Sequence, residues 1–242
     1  MYDHVLIILA QMRSKTSSCS GETPSSAWLT IPLEDYEAHM ALPAVGQAQM
    51  LAEQLAILIE RHAPASVAVM GCAGGNGLER FESTCVQRVV AVDINPKYIA
   101  VSRIRYAGRL ANLDLRCADV ESPGLQFAPV ELIYAALIFE YTKTVATLAT
   151  LKRNLRPGGT LAVILQLAHP QQHAITPSDY RTLNALSSAF NLVVPADLRA
   201  HASRFGFEFV NSSRIDLPSG KQFLLQTFEC RRRRVHRVDI CR

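Results

Sequence analysis

Val67-Ala68-Val69-Met70-Gly71-Cys72-Ala73-Gly74-Gly75-Asn76-Gly77 runs from four apolar residues straight into a turn that holds four glycines in seven positions. A short apolar run bounded by turn residues suits a parallel strand covered on both faces. The glycines suit a backbone that bends sharply and lies close against a ligand. Asn76-Gly77-Leu78-Glu79 then reads as a helix entry. Strand, glycine turn and helix start together form the phosphate or nucleotide corner of a doubly wound α/β fold, in which ligands sit beyond the carboxyl ends of the strands.

Upstream of this corner, residues 45–62 carry an apolar stripe at Ala48, Leu51, Ala52, Leu55, Leu58 and Ile59, the spacing of an amphipathic helix, which ends at Ala63-Pro64. Downstream, the pattern predicts a short helix over 78–83, a strand over 88–92 ending in Asp93, a helix over 96–110 and a strand over 113–118 ending in Asp119. A strand over 131–136 and a helix over 143–155 follow, the helix stopped by Arg156-Pro157-Gly158-Gly159 before a strand over 160–165. Such alternation makes a mostly parallel sheet with helices on both faces. Residues 166–205 break the rhythm with a loop from His169 to His173 and helices predicted over 178–190 and 195–205, a position that suits a substrate cover. Residues 207–215 and 222–229, joined by Asp216-Leu217-Pro218-Ser219-Gly220-Lys221, read as an antiparallel strand pair near the C-terminus.

The 242 residues are 49% hydrophobic, enough for one sizeable core. Apolar runs such as Val5 to Ala10 fall far short of the about 20 residues a membrane helix requires. With no basic leader ahead of that run, and six cysteines that form no C-x-x-C pair, two of them, Cys72 and Cys117, in or beside predicted buried strands, the expected setting is reducing and cytoplasmic. Cysteines and histidines are scattered, so no metal is expected. The formal charge of +4 is a property of the tail: residues 231–242 hold six arginines and one aspartate, which leaves 19 basic against 20 acidic residues in the rest of the chain. A near-neutral body with no aromatics among its terminal arginines argues against a nucleic-acid or membrane partner. The expected organisation is a loosely held extension over 1–26, one domain over 27–230 and a basic tail over 231–242. Within the domain, 27–62 forms an N-terminal cap and helix and 166–205 the cover insertion.

Gly71-x-Ala73-x-Gly75 departs from the dinucleotide pattern G-x-G-x-x-G, which would place glycines at 71, 73 and 76. It resembles the first motif of class I S-adenosylmethionine (SAM) dependent methyltransferases, with alanine for the middle glycine. Three further features resemble that family in the same order, across roughly residues 66 to 166. Asp93 matches the acid that takes both ribose hydroxyls, a task for a carboxylate because it accepts two hydrogen bonds side by side. Asp119 matches the acid that accepts from the adenine amino group, and Leu155-Arg156-Pro157-Gly158-Gly159-Thr160-Leu161 matches the turn before the fifth strand. The resemblance implies a Rossmann-like sheet, SAM as cofactor and methyl transfer, with Gly71, Cys72, Ala73, Gly75, Asp93, Ile94, Asp119 and Val120 holding the cofactor. One position departs: Val69 stands where the family usually has an acid, so a common support for the methionine end of SAM is missing.

The loop Ala135-Ala136-Leu137-Ile138-Phe139-Glu140-Tyr141 lacks the Pro-Pro-aromatic signature of the nucleic-acid amino methyltransferases, which counts against a base-modifying role; the cover segments carry few charges, so the expected acceptor is a small molecule. Glu140 and Tyr141 are the catalytic candidates. Tyr36 and His39, three apart on one helical face, and His169 and His173 in the insertion are the candidate substrate contacts, the latter two also as bases. Two alternatives are a non-catalytic SAM-binding module, motivated by Val69, and an NAD(P)-dependent oxidoreductase, which the missing glycine pattern disfavours.

Overall fold

The structure is a computed structural model and describes residues 24–169 and 173–232. Residues 1–23 of the expected extension and 233–242 of the expected tail lie outside the described residues. Seven strands, β1 (Ser66–Met70), β2 (Arg88–Asp93), β3 (Leu113–Cys117), β4 (Val130–Ala136), β5 (Leu155–Gln166), β6 (Phe207–Asp216) and β7 (Gln222–Cys230), form one sheet in the order β3-β2-β1-β4-β5-β7-β6. Pairing is parallel from β3 to β5 and antiparallel from β5 through β7 to β6. The α-helices are α1 (Leu33–Ala41), α2 (Gln47–His62), α3 (Pro96–Tyr106), α4 (Thr144–Asn154) and α5 (Pro195–Arg204). None of the helices among the described residues is long and apolar enough to cross a membrane.

Alternation along the central strands sends residues to two cores. Val67, Val69, Ala91, Leu132 and Tyr134 face Leu51, Leu55 and Leu58 of α2, while Ala68, Met70, Val92, Ile133 and Ala135 face Leu148 and Leu151 of α4. A sheet covered on both faces needs continuous apolar strands, which is what the sequence of β1 and β2 supplies. From β1 the chain winds to β2 and β3 on one side, then returns to β4 and β5 on the other. The crevice at that switch point opens beyond the carboxyl ends of β1 and β4.

Three expectations need correction. The strand β5 begins at Leu155 and runs through Arg156-Pro157-Gly158-Gly159, which the sheet absorbs as a register shift against β4 between Val130 and Leu132 rather than as a separate turn. Residues 178–190 form only a short 3-10 helix, Arg181–Leu186, because Leu183, Leu186 and Ala189 recur at the three-residue period of that helix and pack together on one side. Cys117, expected in or beside a buried strand, is exposed on the edge strand β3.

Asn95 joins the sheet to the N-terminal cap. Its Oδ1 accepts from the Lys97 amide (2.9 Å) as the N-cap of α3, and its Nδ2 donates to the Trp28 carbonyl (2.9 Å). Asn95→Ala is expected to destabilise the protein by about 2 kcal/mol, since it loses a cap and strands a carbonyl acceptor. Hydrogen exchange should quicken over residues 27–41; unchanged exchange there would show that Trp28 is held by packing alone.

Candidate active site

One cavity lies along the carboxyl ends of the strands. Gly71, Cys72 and Ala73 line it from β1, Asp93 and Ile94 from β2, and Ala118, Asp119 and Val120 from beyond β3. Leu137 and Ile138 follow β4, and Gln166 ends β5. The resemblance assigns seven of these to the cofactor, and the fold brings all seven to the same wall. The eighth, Gly75, lies behind the turn against Tyr106. Gly75 packs on Tyr106, while the turn stays at the wall through the next residue, Asn76, which lines the cavity.

Asp93 is the brace of the corner. It is buried, with Oδ2 accepting from the Ala73 amide and Oδ1 from the Asn95 amide, both at 2.8 Å. Burial pushes its carboxyl up to about 6, partly countered by the amides of Asn95, Ala73 and Ile94. Ala73 adopts φ +47, a left-handed conformation that costs a non-glycine residue about 1–2 kcal/mol. Its methyl packs with Leu33 and Tyr98, which returns about 0.8 kcal/mol. Leu137, at φ +55, is a second non-glycine residue of the cavity wall in this region.

Two segments cover the cavity. Trp28 precedes α1, which contributes Tyr36, His39 and Met40; residues 174–190 contribute Ile175, Leu183, Leu186 and Phe190. They are fastened to each other by His39 Nδ1 and Ser178 Oγ (2.9 Å) and by Thr182 Oγ1 donating to Asp35 Oδ2 (2.6 Å). Trp28 meets Tyr36 and Tyr141 edge to face at 5.5 and 5.1 Å, and Tyr141 meets Phe190 at 5.7 Å. Burial lowers the His39 pKa, and the Lys221 ammonium lowers it further, so the ring is neutral at pH 7. Burial raises the phenols of Tyr36 and Tyr141, which stay protonated.

Tyr36, His39 and Tyr141 thus share the cavity, but three other candidates do not. The Glu140 carboxylate turns out of the wall into the sheet, where Oε1 accepts from the Gln166 amide (2.8 Å) and Oε2 is buried without a partner. In the 3-10 turn Phe139–Tyr141 successive side chains point about 120° apart, so when Tyr141 faces the cavity Glu140 cannot. His173 is exposed and His169 is half-buried off the wall; among the described residues of the loop, Ala174 and Ile175 are the ones that line the cavity. The sequence reading missed Gln166 and Lys221. A glutamine ending a strand and a lysine after Ser-Gly both read as solvent-facing, and no local signal distinguishes them.

Burial pushes Glu140 up to about 7 from 4.5. The folded state therefore holds that proton more tightly, and about 3 kcal/mol of stability present at pH 4 is lost as pH rises through 7. Glu140→Gln is expected to remove this dependence and raise the melting temperature at pH 8. A calorimetric profile parallel to wild type across that range would refute the assignment.

Residues 69–163 match the family model described as a methyltransferase domain. Over that span the chain is similar to methyltransferase domains. Solved structures similar to it include the N-methyltransferase NodS from Bradyrhizobium japonicum in complex with S-adenosyl-L-homocysteine, at 16% identity and TM-score 0.55, with 83% of this chain and 88% of that one covered. A TehB-like SAM-dependent methyltransferase from Corynebacterium glutamicum is similar at 18% identity and TM-score 0.53, covering 73% and 86%. The [4+2]-cyclase SpnF is similar at 13% identity and TM-score 0.59, covering 74% and 81%. No curated protein sequence matches the chain. The methyltransferase domain supersedes the oxidoreductase alternative.

Proposed function

We propose that this methyltransferase domain transfers a methyl group from SAM to a small-molecule acceptor in the cytoplasm. The observation that carries the proposal is one cavity that runs from the Asp93 corner into an enclosure of Trp28, Tyr36, Tyr141 and Phe190. The residues at the corner fit the cofactor. Each Asp93 oxygen spends one lone pair on a backbone amide and keeps another for a ribose hydroxyl. Asp119 gives Oδ1 to the Glu121 amide (2.8 Å), which leaves Oδ2 to accept from an amino group. At Gly71 a Cβ would come within 2.9 Å of Ile138 Cγ2, so only glycine leaves the cradle open. Ile94, Val120 and Ile138 supply apolar walls suited to a flat base.

SAM, when bound, supplies a methyl already activated on a sulfonium. The chain's own work is then to exclude water and align the acceptor. The aromatic cover serves the first need. The neutral His39, oriented through Ser178, is the group suited to take a proton from an acceptor that arrives protonated.

The test supplies methyl-labelled SAM with a cell extract divided by size. Label is expected in molecules below about 1 kDa, the scale of a ligand that such a closed pocket accommodates; label only in protein or nucleic acid would overturn the small-molecule reading. A second reading, a SAM-binding module without transfer, is motivated by Val69, which removes the usual acid. It predicts SAM binding with no label in either fraction.

A further inference from the structure

The far end of the cavity holds an unusual cation. Lys221 follows the β6–β7 turn and lines the cavity wall, yet it is only 3% exposed. Its ammonium donates to the Ala174 carbonyl at 3.0 Å, an oxygen that also receives Gln166 Nε2 at 3.1 Å. Among the described residues it has no carboxylate partner. A neutral carbonyl is a poor counterpart for a buried ammonium, since desolvation of an ion is offset only by an opposite charge or by loss of the proton. Burial draws Lys221 down to about 8, so it remains mostly charged at pH 7.

Among the described residues nothing else at this end supplies the missing negative charge. Val69 replaces an acid, His39 is neutral, and Glu140 faces away from the wall. Asp93 ends β2, which is separated from β7 by four strand spacings, about 19 Å. The groups shown beside it, the Ala174 carbonyl, the Gln166 amide and the neutral His39 ring, bring no further charge, which suits a singly charged group rather than a phosphate dianion.

We infer that Lys221, with Gln166 beside it, forms a carboxylate-binding subsite in the cavity, and that the methyl acceptor is an organic acid. The assignment rests on the small-molecule reading above. A second possible source of the same group is the carboxylate of the cofactor's methionine. The strand order favours the acceptor, because β7 lies three strand spacings, about 14 Å, from the glycine corner on β1.

Titration calorimetry on wild type, Lys221→Met and Lys221→Arg separates these sources. SAM is compared with decarboxylated SAM, and benzoate is compared with benzamide on protein saturated with S-adenosylhomocysteine. Wild type is expected to bind benzoate at least tenfold more tightly than benzamide. The preference should vanish in Lys221→Met and survive in Lys221→Arg, with SAM affinity unchanged. A tenfold loss of SAM affinity in Lys221→Met, with decarboxylated SAM unaffected, would keep the subsite and assign its carboxylate to the cofactor. If wild type prefers the carboxylate in neither comparison, the inference fails, whether or not the variants fold. A wild type that binds neither SAM nor S-adenosylhomocysteine would overturn the cofactor reading alone, since benzoate against benzamide on the free protein still decides the subsite.

Discussion

Asp93→Ala is expected to weaken SAM binding at least tenfold while leaving the melting temperature at pH 7.5 within a few degrees of wild type. The affinity loss follows from removing a carboxylate placed for two charge-assisted hydrogen bonds, each worth about 1.5–3 kcal/mol before water compensates. Stability is set by two opposing effects. The variant leaves the Ala73 and Asn95 amides without their acceptor, at about 1–3 kcal/mol each. It also removes a buried charge whose carboxyl titrates near 6 instead of 3.8, a relief of about 3 kcal/mol at neutral pH. Because the folded-state value is raised, wild type loses stability as pH climbs from about 4 through 6, and the variant does not. The variant should therefore trail wild type most at pH 4.5 and least at pH 8. Calorimetry with SAM at pH 7.5, beside thermal melts across the pH range, checks both parts; undiminished SAM affinity would sink the ribose assignment.

Gly75→Ala is expected to be the most destabilising small substitution in the glycine corner, at about 2 to 6 kcal/mol, from backbone strain and overpacking together. Gly75 sits at φ +96, and a Cβ there would lie 2.5 Å from Tyr106 Cε2. The ring cannot yield easily. Its hydroxyl donates to the Gly75 carbonyl (2.8 Å) and lies 3.3 Å from Glu79 Oε2, and the Arg109 guanidinium covers its face at 5.2 Å. Tyr106→Leu added to Gly75→Ala should recover the overpacking share and leave the strain. A melting temperature for Gly75→Ala equal to wild type would contradict the geometry of the turn.

The corner and the strand rhythm were legible in the sequence because both are local. An apolar run needs no partner to be recognised as buried, a cluster of glycines marks a bend by itself, and an acid at a strand end falls at the ligand edge of any parallel sheet. These features, through the family resemblance they carry, pointed to Gly71, Cys72, Ala73, Asp93, Ile94, Asp119 and Val120, which line one wall. They also determined the alternation of strands and helices through Gln166. Boundaries were less secure where the sheet overrode a turn signal, as at Pro157-Gly158-Gly159, since pairing with β4 extends β5 across it.

The lining beneath the cover was decided only by the tertiary structure. Whether Glu140 or Tyr141 faces the cavity depends on the rotation of one 3-10 turn, and a span of three residues carries no periodicity that would fix its phase. Lys221 became buried because β7 pairs with β5, which carries the end of a polar turn beneath Ala174. Its environment comes from residues far apart in the chain. Sequence thus determined the strands and the edge at their carboxyl ends, where each residue's position follows from its own strand; the fold alone determined which polar groups line the rest of the cavity, because that depends on contacts between strands and cover segments that no local pattern records.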